Sequence, residues 1–336
     1  MKKIIAAVLV LTLIISIFAM DWFVHKDYKL DKETGVVTVK GELDARFFTH
    51  FLNDERVKSI VAEEGCVLPE NCNSLFYRAN VKMPNLRSID LSGADTSNVN
   101  DACKMFASCS GLTTLVITGF DTSNITNMCG MFDGCTDIES LDLGSFDTSR
   151  VTTMAGMFQG CESLETLDLG SFDTSNVESM SNMFSGCGKL KTLDLGNFDT
   201  SKVTDMSDMF SDCKDLREIN LTSFDTSLVS EMDRMFYGCR SLSVIDMSSF
   251  DSSSLKQIWN MFQFCTVLET IYVNGRWETP NIDTDMFGGC YQLVGGEGWH
   301  YTIAVEQNLH FKYVGDSKYA RVDQGENDPG FFTLKE

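Results

Sequence analysis

Apolar positions recur with one fixed period through most of the chain. From Leu112 to Leu268 the unit Leu-x-x-Leu-Asp-Leu-x-x-Phe-Asp-Thr-Ser-x-Val-x-x-Met-x-x-Met-Phe-x-x-Cys-x-x repeats every 26 residues. Its first position falls at Leu86, Leu112, Ile138, Leu164, Leu190, Leu216, Leu242 and Leu268, without insertion or deletion. A period of this length is the mark of a solenoid, because one unit cannot hide its apolar face until neighbours stack on it. Within a unit, Leu141-Asp142-Leu143 alternates in, out, in, which predicts a short strand. Asp147-Thr148-Ser149 are residue types that cap helices, and Val151, Met154, Met157 and Phe158 follow at the spacing of one helical face. Ser175 and Glu178 stand at capping-box spacing. Each unit therefore reads as a strand, a turn and a short helix. No proline interrupts Leu86 to Thr279, so nothing in that span removes a strand donor.

The ends depart from the period. Residues 1–20 carry Lys2 and Lys3 before an apolar run from Ile4 to Met20, which reads as a signal peptide or an uncleaved anchor. Residues 21–56 form an N-terminal cap. Tyr28 to Val39 predicts a hairpin turning near Gly35, and Phe47, Phe48, Phe51 and Leu52 lie at helical spacing. The repeat array spans 57–290, its first rung degenerate. After Val273 the frame slips by one residue, and Met286-Phe287 with Cys290 close a last unit. The aromatic residues of 291–336 point to a C-terminal cap.

The Leu-x-x-Leu-x-Leu-x-x-Phe core and the later Met-Phe-x-x-Cys resemble the leucine-rich repeats of BspA-like bacterial surface proteins in their 26-residue variant. Leu293-Val-Gly-Gly296, Tyr319-Ala-Arg-Val-Asp323 and Pro329-Gly-Phe-Phe-Thr333 look like that family's C-terminal ending, whereas Trp299-His300 depart from it. The resemblance implies an α/β solenoid, a horseshoe or superhelix with parallel strands on the concave face and short helices on the convex face. It also implies display at the cell surface and binding to proteins of host or neighbouring cells. It implies no catalytic site.

Charge narrows the partners. With 48 acidic and 27 basic residues the net charge is −21, which argues against nucleic acid, because phosphate binding needs clustered Lys and Arg. Two acidic columns follow from the period. Asp142, Asp168, Asp194, Asn220 and Asp246 occupy the outward strand position; Asp121, Asp147, Asp173, Asp199, Asp225 and Asp251 precede the expected helix. Rungs about 4.8 Å apart bring like charges face to face. The first column is expected to be an exposed binding stripe, with a row of calcium ligands as the sharper alternative. The second is expected to hold local backbone N–H groups as Asx-type turns or caps. Beside the stripe runs a varied column of Glu139, Glu165, Lys191, Arg217, Ser243 and Glu269, which a protein partner could read.

Other residue types yield plainer expectations. Cys109, Cys135, Cys161, Cys187, Cys213, Cys239, Cys265 and Cys290 make one ladder without the paired close ligands of a zinc site, so buried thiols are expected. Cys103 with Cys129, and Cys66 with Cys72, stand where an oxidising compartment could bridge them. The methionines share the phase of the core. All four histidines lie outside the regular units, and no nucleophile turn or phosphate loop occurs, so an enzyme is not expected. The expectation is an exported, monomeric, protein-binding, adhesin-like factor of the cell surface that requires no cofactor. The alternative is a rigid acidic envelope scaffold, calcium-stabilised and without a specific receptor.

Overall fold

The computed structural model describes residues 28–43, 54–77, 85–273, 286–293 and 332–334. These residues form a solenoid of about eight turns. The sheet begins with a hairpin: β1 (Tyr28–Leu30) pairs antiparallel with β2 (Val36–Glu42). Its reversal uses Gly35 at φ 78°, where an added Cβ would stand 2.3 Å from the Arg56 carbonyl oxygen. From there every pairing is parallel. Strand β2 pairs with β3 (Ser59–Val67), and β3 with both β4 (Ser88–Asp90) and β5 (Ala94–Asp95). Strand β4 pairs with β6 (Thr114–Val116), Ile89 lying beside Leu115. Further along, β7 (Thr192–Asp194) pairs with β8 (Glu218–Asn220). Strand β9 (Val244–Met247) pairs with β10 (Thr270–Val273), and β10 with β11 (Phe332–Leu334).

The expected strand at Leu141–Leu143 is not paired as one, nor is its counterpart at 167–169, so the ladder opens between β6 and β7, and it opens again between β8 and β9. No proline is responsible. Asp142, Asp168 and Asp194 follow one another at the outward strand position of the first gap, and opposed like charges destabilise a pair. The second gap has Asn220 and Asp246 there, so like charge is not its cause. A residual bond from the Glu165 N–H to the Glu139 carbonyl, at 3.1 Å, still links two rungs of the first gap.

The short helices expected on the convex face are absent among the described residues. Alternate N–H groups of that segment bond across to the next rung instead of up a helix. The N–H groups of Met128, Gly130, Phe132 and Gly134 donate to the carbonyls of Thr153, Ala155, Met157 and Gln159, at 3.1, 2.8, 2.9 and 2.7 Å. Between them, Met131, Asp133 and Cys135 donate three residues back, to Met128, Gly130 and Phe132. The result is a chain of overlapping turns that also serves as a second inter-rung ladder. Isolated parallel bridges mark its entry from Asn71 through Asp101, Asn127, Thr153, Ser179 and Asp205 to Glu231 and Gln257.

Such a chain needs two left-handed residues per rung, four apart. They are Lys104 and Ser108, Gly130 and Gly134, Gly156 and Gly160, Asn182 and Gly186, Asp208 and Asp212, Arg234 and Gly238, and Asn260 and Phe264, all with φ between 53° and 76°. Left-handed backbone disfavours L-residues with a Cβ, and only Gly, Asn and Asp visit it readily. A continuous helix could not accommodate this alternation.

The core sits between the two ladders. Leu164, Val177, Met180, Met183, Phe184 and Cys187 are each fully buried, as are their equivalents in neighbouring rungs. Phe76, Phe106, Phe132, Phe158, Phe184, Phe210, Phe236, Phe262 and Phe287 form one continuous stack with centroids 5.3–5.7 Å apart. Burying one such ring is worth about 2–3 kcal/mol, and its aromatic neighbours add to that. Phe287 follows Phe262 by 25 residues rather than 26 and still stacks at 5.7 Å, so the slip in frame is absorbed before the last unit.

Candidate functional site

The strand face carries the first acidic column. Asp142, Asp168 and Asp194 are exposed, while Asn220 and Asp246 are half-buried. Each Oδ1 accepts the N–H two residues on: from Gly144 at 3.2 Å, Gly170 at 2.9 Å, Gly196 at 3.0 Å, Thr222 at 3.1 Å and Ser248 at 3.1 Å. Asn220 also donates its amide to Asp194 Oδ1 at 2.7 Å, where the ladder is intact. An amide between carboxylates relieves the repulsion that the Asp–Asp junctions retain.

The varied column shares that edge of the rungs. Glu139, Glu165, Lys191, Arg217 and Glu269 are exposed. Lys191 Nζ reaches Glu165 at 3.3 Å, and Arg87 pairs with Asp137 at 3.0 Å. Both pairs are about half exposed, so solvent screening leaves them little stabilising worth. Their effect is to fix where charge is displayed.

The second acidic column behaves as local turn chemistry. Ser149, Ser175 and Ser201 each donate their N–H to the Oδ1 of the Asp two residues earlier, at 3.0 Å. Ser hydroxyl and backbone donors hold the carboxyls of Asp95, Asp147 and Asp199 below the usual carboxylate range. The Asx-turn expectation is met, but no helix follows it, and Ser175 caps none. The buried Thr between Asp and Ser has a larger task. Thr122 Oγ1 accepts the Asp147 N–H at 2.7 Å and donates to the Asp147 carbonyl at 2.9 Å, so a hydroxyl replaces a ladder rung.

All twelve cysteines are free thiols, including Cys66, Cys72, Cys103 and Cys129. The buried ladder donates backwards, Cys135 Sγ to the Phe106 carbonyl at 3.3 Å and Cys161 Sγ to Phe132 at 3.3 Å. Among the described residues, no group of three or more His, Cys, Asp or Glu side chains is placed to hold a metal ion. None of their helices is long and apolar enough to cross a membrane, and the apolar run at 1–20 lies outside the described residues.

Two features were not anticipated. On the turn face, burial raises the carboxyls of Asp133, Asp208 and Asp233 above their usual range, although Arg234 sits 3.2 Å from Asp208. Next to the Asp-Thr-Ser column runs a polar spine. Arg150 Nη1 donates to Asn124 Oδ1 at 2.9 Å, and Lys202 Nζ to Asn176 Oδ1 at 2.7 Å. Asn124 and Asn176 donate to the carbonyls of Ser97 and Ser149 at 3.1 and 2.8 Å. At the N-terminal end this spine borders an open cleft of about 1010 Å³. Asn at the position after Ser in three units was the available signal.

Residues 70–193 and 188–294 match the family described as "Mycoplasma protein of unknown function, DUF285". The chain belongs to that family. No curated protein matches it. The fold is similar to a leucine-rich repeat protein from Eubacterium ventriosum, with 16% identity and TM-score 0.40 over 81% of this chain and 76% of that one. It is also similar to a leucine rich cell surface protein from Faecalibacterium prausnitzii, with 16% identity and TM-score 0.32 over 74% and 88%. A leucine-rich repeat protein from Bacteroides ovatus has 16% identity and TM-score 0.27 over 80% and 91%. These are bacterial leucine-rich repeat proteins, and the 26-residue spacing agrees with that class. Likenesses this distant place no site on the DUF285 chain.

Proposed function

We propose that this DUF285 protein is a binding scaffold without catalytic chemistry, exported by its N-terminal apolar segment, whose strand face recognises basic surfaces of other proteins. The observation that carries this reading is the column of exposed carboxylates at Asp142, Asp168 and Asp194. Each is exposed and accepts a local N–H through Oδ1, Asp194 taking the Asn220 amide as well. A row of uncompensated negative charge on a rigid face accelerates encounter with cationic partners and sets register more than it adds raw affinity. Around it the core positions repeat while Glu139, Glu165, Lys191, Arg217, Ser243 and Glu269 vary, which is how one frame presents a particular surface.

The test is binding of the labelled full chain to intact host and neighbour cells, at low and physiological salt, beside the D142N/D168N/D194N variant. Asn keeps the Oδ1 acceptor, as Asn220 does, and removes only charge. Salt-sensitive binding that falls at least tenfold in the variant supports the face. Binding that ignores both salt and the three substitutions rejects it.

A further inference from the structure

We propose that the cleft at the N-terminal end of the solenoid binds a neutral oligosaccharide. It lies at the ends of β2 and β3, beside the second ladder and away from the Asp142–Asp194 column, and its volume of about 1010 Å³ is at the upper end of ordinary ligand sites. The N-terminal cap and four successive rungs build it, bringing together Glu42, Glu70, Asn98, Asn124 and Arg150 from positions far apart in sequence.

Its floor is closed to strand addition by a peptide, because the backbone there is already paired between rungs. The N–H groups of Leu68, Cys72, Asn100 and Thr126 donate to the carbonyls of Asp95, Asp101, Glu70 and Asn100 at 2.9, 2.8, 2.8 and 2.9 Å. Recognition must come from side chains. Anionic ligands are disfavoured, since Glu42, Glu70 and Asp101 face one cation, Arg150, and that guanidinium is already 2.9 Å from Asn124 Oδ1.

What remains is a set of amides with complementary vacancies. Asn71 and Asn127 spend Oδ1 on the N–H groups of Asn73 and Cys129, at 2.8 and 3.0 Å, which leaves their Nδ2 groups to donate. Asn100 spends its Nδ2 on Glu70 Oε1 at 2.6 Å, which leaves its Oδ1 and the second Glu70 oxygen to accept. Asn98 is exposed at the rim and can do both. Neighbouring donors and acceptors suit hydroxyl groups, each of which gives and takes a hydrogen bond at once. Half-buried Val67 and Pro69 add a small apolar patch where the C–H face of a sugar ring can rest.

The test is an array of neutral and acidic glycans probed with the full chain. Calorimetry with the best neutral oligosaccharide then compares the parent, Asn98→Leu, Glu42→Gln and the D142N/D168N/D194N variant. We expect retention of at least one neutral glycan, affinity reduced at least tenfold by Asn98→Leu at unchanged Tm, and parental affinity in the strand-face variant. No retained neutral glycan, equal binding by Asn98→Leu, or preference for acidic glycans or a basic peptide overturns the proposal. Because the strand-face variant is a separate arm, this proposal and the protein-binding reading fail independently.

Discussion

The hydroxyl of Thr148 serves both backbone groups of Asp173 one rung away: it accepts the Asp173 N–H at 2.8 Å and donates to the Asp173 carbonyl at 2.8 Å. Thr148 is 1% exposed, so no water can take its place. Thr148→Val keeps the shape and leaves two part-buried backbone groups of Asp173 without their partner, each costing up to about 1–3 kcal/mol. We expect a marked fall in Tm for Thr148→Val and a small one for Thr148→Ser. Equal Tm values for Thr148→Val and the parent would mean that the hydroxyl bridge contributes nothing.

The left-handed positions make a second prediction, opposite in sign at different rungs. Asp212 stands at φ 56° where the preceding and following rungs have Gly186 and Gly238. A non-glycine residue there costs about 1–2 kcal/mol, against roughly 0.5–1 kcal/mol of extra chain entropy for Gly. Asp212→Gly should therefore raise the Tm slightly, and Gly160→Val, at φ 67°, should lower it by more. Far-UV circular dichroism should show a β-type band without a helical double minimum. A helical spectrum would refute the turn ladder.

These positions also show why part of the fold was illegible. Val151, Met154, Met157 and Phe158 recur at three, six and seven residues, a spacing that a helix and a run of overlapping turns share. The core was therefore correctly assigned and its secondary structure was not. The decisive signal was weaker: Gly130 and Gly134, Gly156 and Gly160, then Asn182 and Gly186, at a separation of four that a helix interior would not favour. The second Asp column was legible because an Asx turn is local chemistry. The N-terminal cleft was not, because Glu42, Asn98 and Arg150 meet only through inter-rung register, which a sequence pattern does not specify.

Acid titration should be biphasic. Burial raises Asp133, Asp208 and Asp233, so the fold is penalised above their folded pKa and relieved as pH falls through it toward the unfolded value. Asp95, Asp147, Asp199 and Asp251 are lowered, and hydrogen bonds from Arg56 bring Asp54 from 3.8 to about 2. Their contribution is complete above the unfolded value and is lost as pH falls through the folded one. Tm should thus rise on mild acidification, then drop sharply below about pH 4, where unfolded carboxylates protonate. Asp208→Asn should blunt the rise and leave the drop. A monotonic fall from neutral pH would contradict this assignment.

Thiol reactivity separates the twelve cysteines into two groups. Cys161 and its equivalents are fully buried, desolvation pushes up the thiols of Cys161, Cys187, Cys213 and Cys239, and Cys72 is pushed up to about 12. Cys103 and Cys129 are half-buried, although desolvation still raises Cys103 to about 11. Maleimide labelling of the native chain, read by peptide mass spectrometry, should mark these two slowly and spare the ladder. Rapid labelling of Cys161 would show that the rungs open.

The gap in the strand ladder supplies the last prediction. Both junctions where Asp meets Asp, Asp142 with Asp168 and Asp168 with Asp194, lack strand pairing, whereas Asp194 beside Asn220 keeps it, with the side chains 2.7 Å apart. The Val116–Asp142 and Asn220–Asp246 junctions are open as well, so like charge is one contributor among others. Asp168→Asn relieves both junctions at once and retains the acceptor for the Gly170 N–H. Cross-strand charge pairs are worth roughly 0.2–1 kcal/mol, so a modest rise in Tm at low ionic strength is expected, fading as salt screens the parent's repulsion. Hydrogen exchange should show new protection at residues 140–143 and 166–169. The same experiment weighs the calcium alternative: screening treats calcium and magnesium alike, and only a true calcium site would stabilise the parent with calcium well beyond magnesium and lose that difference in Asp168→Asn. If Asp168→Asn changes neither Tm nor exchange, repulsion is not what opens the ladder.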